Sequence, residues 1–207
     1  MRARFFSAAA LFAASALAIV GCASSSGSGA ASAAGLGDVW PQPPAGEVIA
    51  QGTVMDVAGD VELCLGAIAE SYPPQCSGIP LEGWSWNGVE GFETVGDVTW
   101  GAYAVQGTYD GESFAVTGQP ILLALYDPMP LPDPTEGRPG KGSAAELETI
   151  QSELPAELGA DLLSSSVADG WLWIDVVWDD GTRQDAADAL YGDDLVVVRS
   201  AIRTVQP

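Results

Sequence analysis

The chain has 207 residues, of which 28 are acidic and 7 basic, and no histidine, giving a formal net charge of −21. That balance excludes nucleic acid as a partner, since phosphate binding needs clustered Lys and Arg, and the missing histidine removes Ser-His-Asp triads, Cys-His pairs and every His-ligated metal site. Hydrophobic residues make up 47%, which is ordinary for a globular chain and sets aside wholesale disorder; the length allows one or two small domains.

Residues 1–21 read as a signal peptide. Arg2 and Arg4 give a positive start, and Phe5 to Val20 is apolar or small throughout, too short for a membrane span and long enough for a signal core. The plain alternative is an ordinary secretory signal. The run Ile19-Val20-Gly21-Cys22 resembles the lipobox of a bacterial lipoprotein signal at each position. The resemblance implies that Cys22 becomes the first mature residue and carries a diacylglyceryl group, placing the protein on the extracytoplasmic face of the cell membrane. Two acyl chains give stable anchoring where one does not. Loss of Arg2 and Arg4 takes the formal charge from −21 to −23. Phe5 to Glu136 holds no Lys or Arg, and Asp38 to Glu136 holds 15 carboxylates. Such a surface repels anionic headgroups; the bland account is a solubility bias.

Residues 22–45 read as a tether. Ala23 to Gly37 is nearly all Ala, Ser and Gly, too poor in apolar side chains to fold alone. About 24 residues up to Gly46 span on the order of 27 Å as a coil. Pro41, Pro43 and Pro44 stiffen its far end, and Trp40 is placed to dock on the folded part.

Residues 46–126 predict a β domain. Strand-length apolar runs at Val48 to Met55, Val61 to Ala69, Val98 to Tyr109, Ser113 to Thr117 and Ile121 to Tyr126 are separated by Gly and Pro. Tyr103, Val105 and Tyr109 share one parity, and Asp110-Gly111 is a hairpin signal. Short strands with Gly-rich corners point to a small β-barrel-like, OB-like domain in shape, without the basic groove a nucleic-acid reader needs. Residues 127–142 carry five prolines and read as a linker or long surface loop.

Residues 143–207 predict a small α+β sandwich domain with its helices on one sheet face. Ser143 to Glu146 has capping-box spacing, followed by Leu147, Ile150, Leu154 and Leu158 at helical intervals, with Pro155 expected to end or kink the helix. Asp169-Gly170 introduces a strand from Trp171 to Trp178 with Leu172, Ile174, Val176 and Trp178 on the buried face. A short helix from Thr182 to Tyr191 stops at Gly192, and Leu195 to Val198 is a last strand.

Cys64 and Cys76 are the other cysteines, and outside the cytoplasmic membrane a disulfide is expected between them, worth roughly 3 kcal/mol by chain entropy. The block from Cys64 to Trp86, and the tail with Asp179-Asp180-Gly181, Tyr191-Gly192 and Val196 to Ala201, resemble uncharacterised exported lipoproteins of high-GC Gram-positive, actinobacterial-type bacteria. This resemblance implies location and supplies no activity.

Candidate chemistry is sparse. Trp84 and Trp86 would share a face if extended, and Trp171 and Trp173 share a strand face with Asp175 and Val177; both pairs are candidate ligand or partner surfaces. The second pair serves equally as core against the first domain, the arrangement preferred here. Glu90, Glu93 and Asp97 are the least poor choice for a carboxylate-based glycan hydrolase. Asp175, Asp179, Asp180, Asp193 and Asp194 are the sequence-near acids for a calcium-stabilised module, although none fits the alternating calcium loop. Ser164 to Ser166 lack a nucleophile motif, and Lys141 sits in the proline-rich stretch. The expectation is a non-enzymatic envelope binding or interaction module, anchored to the membrane by lipid, with an envelope protein or ligand as partner and no cofactor, metal or nucleic acid.

Overall fold

A computed structural model describes residues 34–127 and 129–205; Cys22 and the signal segment lie outside them. Strand β1 (Val48–Val57) and β2 (Asp60–Cys64) form a hairpin. Its turn residues, Ala58 and Gly59, both take positive φ, at 57° and 100°, matching the twist of a two-residue connection. β3 (Ile79–Glu82), β4 (Glu93–Val95), β5 (Val98–Tyr109), β6 (Phe114–Val116) and β7 (Ile121–Leu122) follow. β5 pairs with β1 along its length, from Val48 opposite Gly107 to Val57 opposite Val98. β3 pairs with β6 in parallel, and β6 with β5 antiparallel. The ring β1-β2-β3-β6-β5 therefore closes on itself as a five-stranded barrel, with β4 and β7 as added strands on β5.

The alternation along β5 does what its parity predicts: Tyr103, Val105 and Tyr109 point inward, with Val54, Leu63 and Phe114 filling the space between them. Gly107 shares the inward parity because β6 passes too close for a side chain. A Cβ there would lie 2.1 Å from the Ala115 carbonyl oxygen, so the close approach of the two backbones requires glycine. The Asp110-Gly111 turn joins β5 to β6, and the Asp110 carboxylate accepts from the N–H groups of Glu112 and Ser113.

The second sheet has three strands, β8 (Leu162–Ala168), β9 (Trp171–Val176) and β10 (Val196–Ser200), in the order β10-β9-β8. Helix α1 (Ala144–Leu158) starts at Ser143, whose hydroxyl accepts from the Glu146 N–H. Leu147, Ile150, Leu154 and Leu158 meet Leu172, Ile174 and Val176 from β9 in one core, joined by Ala186 and Ala187 of α2 (Thr182–Tyr191). Both helices thus cover one face. Pro155 neither ends nor breaks α1: it sits exposed in the last turn between buried Leu154 and Leu158, and the helix runs on to Leu158.

Two connecting stretches are docked on the folded unit. The 127–142 stretch, read as a linker or long surface loop, is held against the second sheet. Gly140 N–H donates to Asp169 O, Gly142 N–H to Gly170 O and Lys141 N–H to Asp194 O, so it is laid along the second sheet by its own backbone groups. The end of the 22–45 tether is likewise docked. Leu36, only 1% exposed, enters the helix core, whereas Trp40 is 78% exposed. The C-terminal strand β11 (Arg203–Thr204) returns to pair with β1, and Val177 and Ile202 enter the barrel core. Ala33–Pro207 is accordingly one compact unit built on two cores.

Candidate functional site

Between the barrel and the second sheet lies a groove of about 600 Å³, within the size range of small-molecule sites. One wall comes from β2 and β3 and the segments around the disulfide: Leu63, Leu65, Ile79 and Pro80, with Gly66, Ala67, Ser77 and Gly78. The other comes from the connection into β8 and the end of β9, through Ala160, Leu162, Leu163 and Val177. The β5–β6 turn closes one end with Tyr109, Gly111 and Glu112, beside Asp161. A smaller lobe of about 370 Å³ lies across the Gly66 and Leu163 contact, lined by Gln51, Met129, Ser164 and Arg203 among others.

The floor is apolar and the polar groups gather at the β5–β6 end. Arg183, buried on α2, donates to the Trp178 carbonyl and pairs with the Asp161 carboxylate. Its Nε has no partner among the described residues. The Tyr109 hydroxyl donates to Gly111 O at 2.8 Å. Burial, then the Asp161 and Asp110 carboxylates, push that hydroxyl up to about 12, against the opposing pull of Arg183.

A raised phenol pKa stabilises the fold fully below the unfolded value near 10, and that stabilisation is lost as pH rises through the folded value. The wild-type stability is therefore expected to fall between about pH 10 and 12, with Tyr109 contributing up to ~1.4 kcal/mol per pH unit. Tyr109→Phe should flatten that limb, read by urea midpoints at pH 8, 10 and 11. An unchanged slope would remove Tyr109 as the titrating group.

The residues singled out in the sequence fall in several places. Cys64 and Cys76 are joined as a disulfide and border the groove. Trp84 and Trp86 do not form an open platform. The chain leaves β3 at Gly83 and folds both indoles onto Tyr103, with ring centroids 5.3 Å (Trp84) and 6.3 Å (Trp86) from it, so they close the barrel end. The Trp86 indole donates to Asp56 Oδ2 at 2.9 Å. Trp171 is buried, but its cover is the proline-rich stretch rather than the barrel: its indole donates to Arg138 O at 2.8 Å. Trp173 lies beneath the Arg199 guanidinium, 4.7 Å from its ring centroid.

Glu90, Glu93 and Asp97 are all exposed, so no cleft encloses them as glycoside hydrolysis would need. Four of the five aspartates considered for calcium are engaged elsewhere, and the fifth, Asp193, is exposed. Asp175 takes Arg199 and the Ser164 hydroxyl, Asp179 accepts the Arg183 N–H at the start of α2, Asp180 the Thr182 N–H, and Asp194 pairs with Lys141. Among the described residues no group of three or more acidic or cysteine side chains is placed to hold a metal ion. The groove residues Asp161, Tyr109 and Glu112 carry no sequence motif; they meet only through the docking of the β8 connection against the β5–β6 turn. No family model, curated protein or solved structure matches the chain.

Proposed function

We propose that the protein is a lipid-anchored, extracytoplasmic, non-enzymatic binding module of the cell envelope, with the groove beside the disulfide as its ligand site. The observation that carries this reading is where the groove lies: against β2 and β3 and the turn between the last two strands of the barrel ring. OB barrels take ligands on that face and with that loop. The ring order, with β3 and β6 parallel, supports reading the barrel as OB-like, and the two separate apolar cores support reading it and the α+β part as two modules.

Each of the five cations among the described residues is engaged by the protein's own acceptors. Lys141, Arg183 and Arg199 pair with carboxylates, and Arg138 and Arg203 donate to carbonyls. This argues for a ligand other than nucleic acid. Anchoring rests on Ile19 to Cys22. Leu36 lies 14 positions after Cys22, so the folded unit is held within ~50 Å of an anchor there.

Native mass spectrometry of protein extracted from membranes tests the reading. The wild type should fractionate with membranes and carry a non-covalent adduct; Cys22→Ala should be released, and Ala67→Trp, at an exposed position on the groove mouth, should be bare. A Cys22→Ala protein that stays with membranes would overturn the anchor, and identical adducts on wild type and Ala67→Trp would overturn the groove.

A further inference from the structure

We propose that this groove takes an organic ammonium ion carried on an apolar body, the apolar part lying on Leu65, Ile79 and Leu163 and the ammonium at the end marked by Asp161, Glu112 and Tyr109. The proposal rests on the groove being the ligand site and adds the chemistry of the ligand.

The argument starts from which charges reach the opening. Arg183 is 7% exposed while Asp161, its partner, is 41% exposed, so the cation is sealed beneath the groove and the anion faces it. Arg183 aims its terminal nitrogens at Trp178 O and Asp161 and does not line the groove, so its charge is not presented at the opening. Glu112 stands exposed on the rim. The Tyr109 hydroxyl gives its proton to Gly111 O and so presents lone pairs. Burial first, and then the carboxylates of Asp161, Asp110 and Glu112 against the pull of Arg183, push this hydroxyl upward, in keeping with that placement of charge.

The end of the groove is thus supplied with acceptors and anionic charge. A carboxylate or phosphate is repelled there, a neutral alcohol gains only a neutral hydrogen bond, and an ammonium gains charge-assisted ones. A bare metal ion fits poorly, since the leucine and isoleucine floor offers it no ligand. An amine with an apolar body uses both parts of the site, and the net charge of −21 steers it inward.

The test uses the full-length chain at low ionic strength with three probes sharing one apolar chain: hexylammonium, hexan-1-ol and hexanoate, titrated by calorimetry and by NMR shifts of the groove residues. Hexylammonium should bind about five-fold or more tightly than hexan-1-ol and hexanoate more weakly than either. Glu112→Lys should weaken hexylammonium about five-fold and leave hexan-1-ol unchanged, and Ala67→Trp should block both. Equal binding of all three probes, blocked by Ala67→Trp, would overturn the ammonium proposal and leave the groove intact as a site. Failure of hexylammonium to bind, while hexan-1-ol binds and is blocked by Ala67→Trp, would do the same. Binding that Ala67→Trp does not change would overturn the groove itself. Thermal unfolding of each variant checks that it is folded.

Discussion

Leu36→Ala is expected to lower the free energy of unfolding by about 2–5 kcal/mol, a large share of the ~5–15 kcal/mol typical of a domain. Leu36 comes from a stretch of Ala, Ser and Gly, yet it is 1% exposed and belongs to the core that α1 and β9 build. Its backbone is held as tightly as its side chain. The Leu36 N–H donates to Glu157 Oε2 at 3.2 Å, and a Cβ on Gly37 would lie 2.2 Å from the Glu157 carbonyl oxygen. Further along, Gln42 N–H donates to Asp180 and Gln42 O accepts from the Trp178 indole. The strap therefore joins the end of α1 to the start of α2, and the truncated side chain leaves a cavity in the core that both helices share. Urea denaturation measures the loss, and limited proteolysis should show new cleavage between residues 36 and 46. A loss below ~1 kcal/mol with no new cleavage would mean that the strap is not part of the cooperative unit.

Much of the fold was legible, for reasons that differ by element. β5 was plain because its long alternation faces one closed interior, and α1 and α2 because their caps and apolar spacing are local signals. β3, β4 and β11 are two to four residues long, too short to show a period; they are strands because β2, β5 and β1 lie beside them. β8 was hidden by Ser164 to Ser166, a polar run that conceals a backbone paired to β9. In the proline-rich stretch, proline density argues against helix and central strand but says nothing about docking: its glycine and lysine N–H groups found carbonyls on the second sheet and beside it. Trp84 and Trp86 would share a face only if extended, and the chain instead folds both onto Tyr103. The groove was illegible, since Asp161 and Glu112 are 49 positions apart and meet only after the two cores are joined.

Removing the disulfide with Cys64→Ser and Cys76→Ser together is expected to cost about 3 kcal/mol, or a fall in Tm of roughly 6–12 °C for a chain of this size. The bridge closes a loop of sequence separation 12, and the loop has little else to hold it. Its internal backbone bonds are Ala69 N–H to Gln75 O and Ser71 N–H to Ala69 O. At its base the Gly78 N–H donates to Glu62 Oε2 at 3.0 Å. Cys64 is 2% exposed, so the hydroxyl that replaces its sulfur adds an unmet polar burden to the lost constraint. The same loop carries Gly66, Ala67, Ser77 and Gly78 into one wall of the groove. The double variant should therefore lose hexylammonium binding by more than its fraction of unfolded protein accounts for, because an unstapled wall must be ordered at the moment of binding. Calorimetry at a temperature where circular dichroism reports the variant fully folded separates the two effects. Binding equal to wild type under those conditions would make the bridge purely a stabilising device, and an unchanged Tm would show that the folded unit holds this loop without it.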